Sequence, residues 1–274
     1  MQFSVLMSVY KNENPEHFRL AMESVLKQSV MPNEIVLVRD GAVPAELQEV
    51  IDEYIRRVPI IRYCPLTENV GLGNALNVGL LNATCEFVAR MDTDDICTSD
   101  RFEKQVRFLE ENPSVDMLGG QIEEFIGEES TIVSKREVPL TDAEIKAYIK
   151  KRNPFNHQTV MFKKAAVMAV GNYQELHFLE DYYLWCRLCA NGCTFANLPE
   201  VLVRMRVSED MYRRRGGFRY FQSFKKLEKY KKKAKMIGFC QYLKALIIRF
   251  TITMMPNGLR AWAYKKFARK RVKE

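Results

Sequence analysis

With 274 residues, 47% of them hydrophobic and 11% aromatic, the chain has ample apolar material for a packed core, which excludes a disordered or fibrous protein. The net charge of +8 conceals two zones: residues 204–274 carry 22 Lys and Arg against four acids, whereas residues 1–203 carry 20 bases against 30 acids. An acidic body over 1–206 and a basic tail over 207–274 are therefore expected, the tail facing something anionic.

Phe3–Val9 predicts a short apolar strand, and Met1–Tyr10 lacks the basic start and long apolar run of a leader. Pro15 opens a helix to about Gln28 with Asn14 as its cap. Glu34–Arg39 predicts a second strand, Pro44–Arg57 a helix, Ile60–Cys64 a third strand, Gly71–Leu81 a helix and Glu86–Met91 a fourth strand. This alternation predicts an α/β fold: a mostly parallel sheet with helices on both faces. Ser99–Glu111 predicts a helix that stops at Asn112-Pro113; Val115–Leu118 is extended, and Gln121–Ile126 and Thr131–Val138 predict an antiparallel excursion. Thr141-Asp142-Ala143-Glu144 fits a capping box for a helix to about Lys151. A strand over Gln158–Phe162 and a helix over Leu179–Asn191 closed by Gly192 follow, and from Met211 onward the chain is helical and basic. Seven cysteines, an odd number without a paired framework, point to a reducing compartment.

Ligands of such sheets bind beyond the carboxyl ends of the strands. Ser8-Val9-Tyr10, Asp40-Gly41 and Asp92-Thr93-Asp94-Asp95 all fall there. Three carboxylates in four residues are either a solvated acidic turn or a hard-cation site; were the fourth strand to continue, Asp92 and Asp94 would point the same way and leave room for phosphates. Asp40-Gly41 is a generic turn that can also face a base or ribose. Asn69-Val70-Gly71-Leu72-Gly73 enters a helix whose free N–H groups favour an anion, a weak signal by itself. Glu180-Asp181 at a helix start is either a dipole-favoured cap or, among Phe178, Leu179 and Tyr182, a tuned general base. Cys186, Cys189 and Cys193 lack a fourth ligand for zinc and are read as buried and structural, and a lone His157 is more often structural too.

In this order and spacing the residues resemble a family 2 glycosyltransferase with the GT-A (Rossmann-like) fold, of the bacterial surface-polysaccharide kind, over roughly 2–206. The resemblance rests on Ser8-Val9-Tyr10, Asp40-Gly41, Asn69-x-Gly71-x-x-x-Ala75-x-Asn77, Arg90-Met91-Asp92-Thr93-Asp94-Asp95, Arg101-Phe102-Glu103-Lys104-Gln105, Asn156-His157 and Glu180-Asp181-Tyr182-x-Leu184-Trp185. It implies a nucleotide-sugar donor, UDP-linked by resemblance, and Mn²⁺ or Mg²⁺. Ser8, Val9, Tyr10, Asp40, Gly41, Asn69, Gly71, Gly73, Arg90, Asp92 and Thr93 would hold the nucleotide sugar; Asp92 and Asp94 would be the metal pair, with Asp94 the direct ligand. Asp181, with Glu180 beside it, would deprotonate the acceptor hydroxyl, and His157 and Trp185 would line the sugar pocket. Arg39 stands where relatives commonly have a second Asp before Asp40.

One base and one metal clamp imply direct displacement with inversion. The acceptor is expected to be a saccharide or a lipid-linked one in O-antigen or capsule synthesis. A sugar nucleotidyltransferase would need a glycine-rich phosphate loop after the first strand, and Ser8–Asn14 has no glycine. A nucleic-acid-binding protein would interleave stacking aromatics with its charges on a sheet, and here the basic runs Arg213–Arg215, Lys225-Lys226 and Lys231–Lys233 fall on predicted helices, so no nucleic-acid partner is expected. Tyr242–Met255 is apolar but broken by Lys244 and Arg249 and too short to span a bilayer. Leu259, Trp262, Ala263 and Phe267, set against Lys265, Lys266, Arg269 and Lys270, predict an interfacial helix and peripheral attachment to the cytoplasmic face of an anionic membrane.

Overall fold

The computed structural model describes residues 1–207, 216–256 and 258, together with the backbone of 270–271. Its first ninety residues alternate as β1 (Phe3–Tyr10), α1 (Pro15–Leu26), β2 (Glu34–Asp40), α2 (Ala45–Arg57), β3 (Ile61–Pro65), α3 (Leu72–Asn82) and β4 (Phe87–Arg90). Asn14 caps α1 as expected, its side chain accepting from the N–H groups of Glu16 (2.8 Å) and His17 (3.2 Å). The strands are parallel in the order β3-β2-β1-β4. Helices cover both faces, so β1 and β2 bury side chains on either side, which is why their sequences run apolar instead of alternating. Tyr10 pairs in register with Asp40, and Leu6 with Arg90, which brings the carboxyl ends of three strands to one rim.

The second half adds β5 (Ile96–Cys97), α4 (Arg101–Glu111), β6 (Met117–Phe125), β7 (Ile132–Arg136), α5 (Asp142–Tyr148), a 3₁₀ turn (His157–Thr159), β8 (Met161–Lys163), α6 (Lys164–Ala169), α7 (Glu180–Ala190) and β9 (Phe195–Arg206). β8 lies antiparallel between β4 and β6, and β9 runs parallel to β6 and antiparallel to β5. Here the structure departs from expectation. Val115–Leu118 and Gln121–Ile126, read as separate extended pieces, fuse into β6 through Gly119 and Gly120. A Cβ at these glycines would lie 2.3 Å from Asn197 Oδ1 and 2.4 Å from Leu202 Cδ1, so they admit β9 against the strand instead of breaking it. β9 itself and α6 were not expected. α5 keeps its capping box but ends at Tyr148, short of Lys151, and the strand expected from Gln158 begins only at Met161 because His157–Thr159 forms the 3₁₀ turn.

Residues 218–254 form a helical hairpin, α8 (Phe218–Lys233) and α9 (Phe239–Met254). Tyr220, Phe224 and Leu227 of α8 join the core cluster of Tyr182, Trp185 and Cys186 of α7. Lys231 and Glu228 form a fully buried ion pair at 2.6 Å. β10 (Lys270–Arg271) pairs antiparallel with β7, so the predicted interfacial helix does not extend to these two residues. The Arg213–Arg215 run and Leu259, Trp262, Ala263 and Phe267 lie outside the described residues. Among the described residues no helix is long and apolar enough to cross a membrane. Cys186 and Cys193 are buried and Cys189 partly so, all with free thiols.

Candidate active site

β4 ends at Arg90, and the chain bends through Thr93–Asp95. The strand therefore does not continue, and alternation does not set the directions of Asp92 and Asp94; side-chain partners do. Asp92 forms an ion pair with Arg90, whose guanidinium is buried under the rim with 1% side-chain exposure. The Thr93 hydroxyl lies 3.2 Å from the carbonyl of Ser8 and 2.5 Å from Glu13 Oε2, its two acceptors. Asp95 is buried and accepts the N–H of Arg206 at 2.8 Å, while the Arg206 guanidinium donates to the carbonyl of Asp94 at 3.2 Å. Burial, then the neighbouring charges of Asp92 and Glu13, push the Asp94 carboxyl up to about 7. Burial also raises Glu13, and burial with Asp94 and Asp92 raises Asp95 well above the usual carboxylate range.

This crowding is the chemistry of a site short of positive charge. Among the described residues no three His, Cys, Asp or Glu side chains are arranged to enclose a metal. Asp92 and Asp94, both partly exposed, are instead two hard oxygen donors of the kind that could hold a divalent cation.

Asp40 has a different environment. Its carboxylate accepts from the Val70 N–H (2.7 Å), the Gly71 N–H (3.1 Å) and Asn69 Nδ2 (3.0 Å), and Asn69 Nδ2 also reaches the Asp40 carbonyl at 3.1 Å. The acid thus clamps the loop that leads into α3. Gly41, at φ +82°, makes the clamp possible, because a Cβ there would lie 2.6 Å from the Asn69 nitrogen. Gly71 and Gly73 face the Glu175 carboxylate, 3.3 Å from the Cβ each of them lacks, so an acid already lies at the start of α3. Ser8 and Tyr10 reach the rim, Tyr10 with 36% exposure; Val9 is fully buried and presents only backbone. Arg39 donates to Gln48 Oε1 at 2.8 Å.

The opposite wall comes from the 3₁₀ turn and α7. His157 Nε2 is 3.0 Å from the Tyr173 hydroxyl, and burial together with the Arg90 charge holds the imidazole well below its ordinary value, hence neutral. Trp185 is fully buried and packs edge-on against His157 and Phe155; it supports the His157 ring from behind and does not itself reach the pocket. At the start of α7, Glu180 is buried, and burial followed by the Asp181 charge pushes it up to about 8. Asp181 is more open; its Oδ2 accepts from Asn153 Nδ2 at 2.7 Å and its Oδ1 from the Tyr182 N–H at 2.6 Å. The Arg90 charge acts on Asp92, Asp94, Asp95, His157, Tyr173 and Glu180, so one buried guanidinium links the two walls electrostatically.

The structure adds Glu13, Arg206, Tyr173, Asn153 and Glu175 to the residues singled out from sequence. Arg206 is 111 positions from Asp95, and nothing local marks either residue as the other's partner. Asn153 stood in plain view, four residues before His157, in a run that ends at the expected strand.

The sequence profile described as Glycosyl transferase family 2 matches residues 4–174. The amylovoran biosynthesis glycosyltransferase AmsE of Erwinia amylovora is 39% identical over 264 residues, 96% of this chain and 98% of that protein. The UDP-Gal:alpha-D-GlcNAc-diphosphoundecaprenol beta-1,3-galactosyltransferase of Escherichia coli is 38% identical over 272 residues, 98% and 97% of the two chains. Staphylococcus aureus TarS 1–349, solved in complex with UDP-GlcNAc, superposes with a TM-score of 0.68 over 91% of this chain and 72% of that one; at 18% identity this likeness concerns the fold, which is GT-A.

Proposed function

The chain belongs to glycosyl transferase family 2, and from that premise we propose that it transfers one sugar from a UDP-sugar, with inversion, to a hydroxyl of a lipid-linked or saccharide acceptor in cell-surface polysaccharide synthesis. The observation that carries the reading is the pair of unlike acidic walls under the charge of one buried arginine: crowded Asp94 beside ion-paired Asp92 on one side, and Asp181, held by hydrogen bonds, on the other. AmsE and the E. coli galactosyltransferase support the substrate classes by likeness.

Asp92 and Asp94 would hold Mn²⁺ or Mg²⁺, which when bound offsets the charge of the departing diphosphate. Tyr10 offers its exposed ring to the base, and the loop fixed by Asp40 lines the nucleotide side. Asp181 accepts the proton of the acceptor hydroxyl as that oxygen attacks the anomeric carbon opposite the leaving UDP, a contribution of roughly 10²–10⁴ in rate. Neutral His157 borders the sugar without adding charge. A screen of UDP-galactose and UDP-GlcNAc with Mn²⁺ tests the reading: Asp94→Ala abolishes donor turnover, while Asp181→Asn abolishes transfer and spares donor binding. A product that keeps the donor's anomeric configuration overturns inversion.

The hairpin supports attachment to an anionic membrane on the cytoplasmic side. Residues 217–256 carry ten Lys and Arg and a single acid, the buried Glu228. Phe239, Leu243, Ile247, Phe250 and Met254 form an exposed stripe at helical spacing on α9. Leu243→Glu with Ile247→Glu is expected to release the protein from anionic vesicles in a sedimentation assay, and raised salt to do so partly.

A further inference from the structure

The cations of the hairpin do more than offer charge to a surface, because two of them turn inward to the same short segment. Lys231 Nζ donates to the carbonyl of Lys150 at 3.0 Å, and Arg249 Nη2 donates to the carbonyl of Lys151 at 3.2 Å. From the other side, Arg136 of β7 donates to the carbonyls of Asn153 (3.1 Å) and Phe155 (3.2 Å). The Tyr182 hydroxyl donates to the carbonyl of Ile149 at 2.6 Å, and Lys231 lies 3.3 Å from that hydroxyl. The stretch 149–155 has no helix or strand of its own; the N–H groups of Ile149, Lys151 and Arg152 bond back to α5, and these side chains satisfy carbonyls that a regular element would bond internally.

What the segment holds is Asn153. The amide orientation is fixed from both ends: Oδ1 accepts the Phe155 N–H at 3.2 Å, which leaves Nδ2 to donate to Asp181 Oδ2 at 2.7 Å. The Arg249 guanidinium also stacks on Phe224 at 4.1 Å, and Lys231 is neutralised by buried Glu228, so each cation has a second contact within the hairpin. We propose that Asn153 is a positioning residue that aims the Asp181 carboxylate at the acceptor, and that Arg249 and Lys231 hold Asn153 in place, so that the C-terminal hairpin is part of the catalytic wall as well as an attachment. The proposal rests on Asp181 being the base.

The test separates the two ideas and begins without substrate. In protein labelled with ¹⁵N-asparagine, the side-chain amide signal lost in Asn153→Ala is that of Asn153. It is expected to shift in Asp181→Asn, and deuterium exchange of 149–153 is expected to quicken at least severalfold in Arg249→Gln. An Asn153 signal indifferent to Asp181→Asn, or wild-type exchange in Arg249→Gln, overturns the clamp. In turnover assays with UDP-galactose and a GlcNAc-diphosphate-lipid acceptor, Asn153→Ala lowers kcat about tenfold or more with little change in donor KM, and Arg249→Gln lowers it less. A loss of melting temperature with kcat and KM moving together would reveal a merely structural role. Should Asp181→Asn still transfer sugar, the base assignment fails; should Asp181→Asn be inactive and Asn153→Ala normal, only the positioning role fails.

Discussion

Asp40 and Asp94 occupy equivalent places, each at or just beyond the carboxyl end of a parallel strand in one sheet, yet they serve opposite ends. Asp40 is saturated by three loop donors and organises its surroundings, whereas Asp94 is crowded by acids and lacks positive charge enough to settle it. A strand-end carboxylate becomes available to a ligand only when the fold leaves it under-compensated.

The largest expected effect is at the crowded end. Asp94→Asn should lower turnover by about 10³-fold or more, in keeping with the loss of a preorganised electrostatic contact, while the melting temperature holds or rises because a repelled charge is gone. The mirror experiment is Asp40→Ala, which removes the acceptor of three hydrogen bonds and should cost about 2–4 kcal/mol of stability in denaturant titration, with donor affinity weakened as a consequence. If Asp40→Ala melts like the wild type and loses only activity, the contrast between the two acids collapses. Gly41→Ala probes the same clamp from the backbone: at φ +82° and 2.6 Å from Asn69, it is expected to cost about 1–3 kcal/mol. The last prediction concerns the pH dependence set by Glu180. Its folded value of about 8 lies above the unfolded 4.5, so the fold retains a proton that the unfolded chain releases. Stability is therefore full below about 4.5 and declines as pH rises toward about 8. Glu180→Gln should flatten that decline in melting curves taken across the range.

β1, β2 and β4 were legible in the sequence because each carries a run of apolar residues closed by a polar turn, and Asn14 and Thr141 announced their helices through local capping chemistry. The two extended pieces expected on either side of Gly119-Gly120 are one strand for a physical reason: the glycines there serve to admit a neighbouring strand. β9 hid because Leu198-Pro199-Glu200 interrupts its pattern and its partner lies some eighty residues earlier. In the candidate site, residue types were readable and partnerships were not. Asp40 looked like a ligand contact and its carboxylate proves to be engaged by its own chain, Trp185 stands behind His157, and Arg206 had no local signature at all.

The bond from the Arg206 backbone to Asp95 also bears on how the protein is made. As the chain leaves the ribosome, the acidic turn emerges more than a hundred residues before Arg206, which fastens it, so a nascent chain ending at residue 174 carries every strand of the parallel half and still lacks the hydrogen bond that secures that turn. The acidic turn therefore reaches its final environment only after the chain has been made past Arg206, and its folding waits on the second half of the molecule.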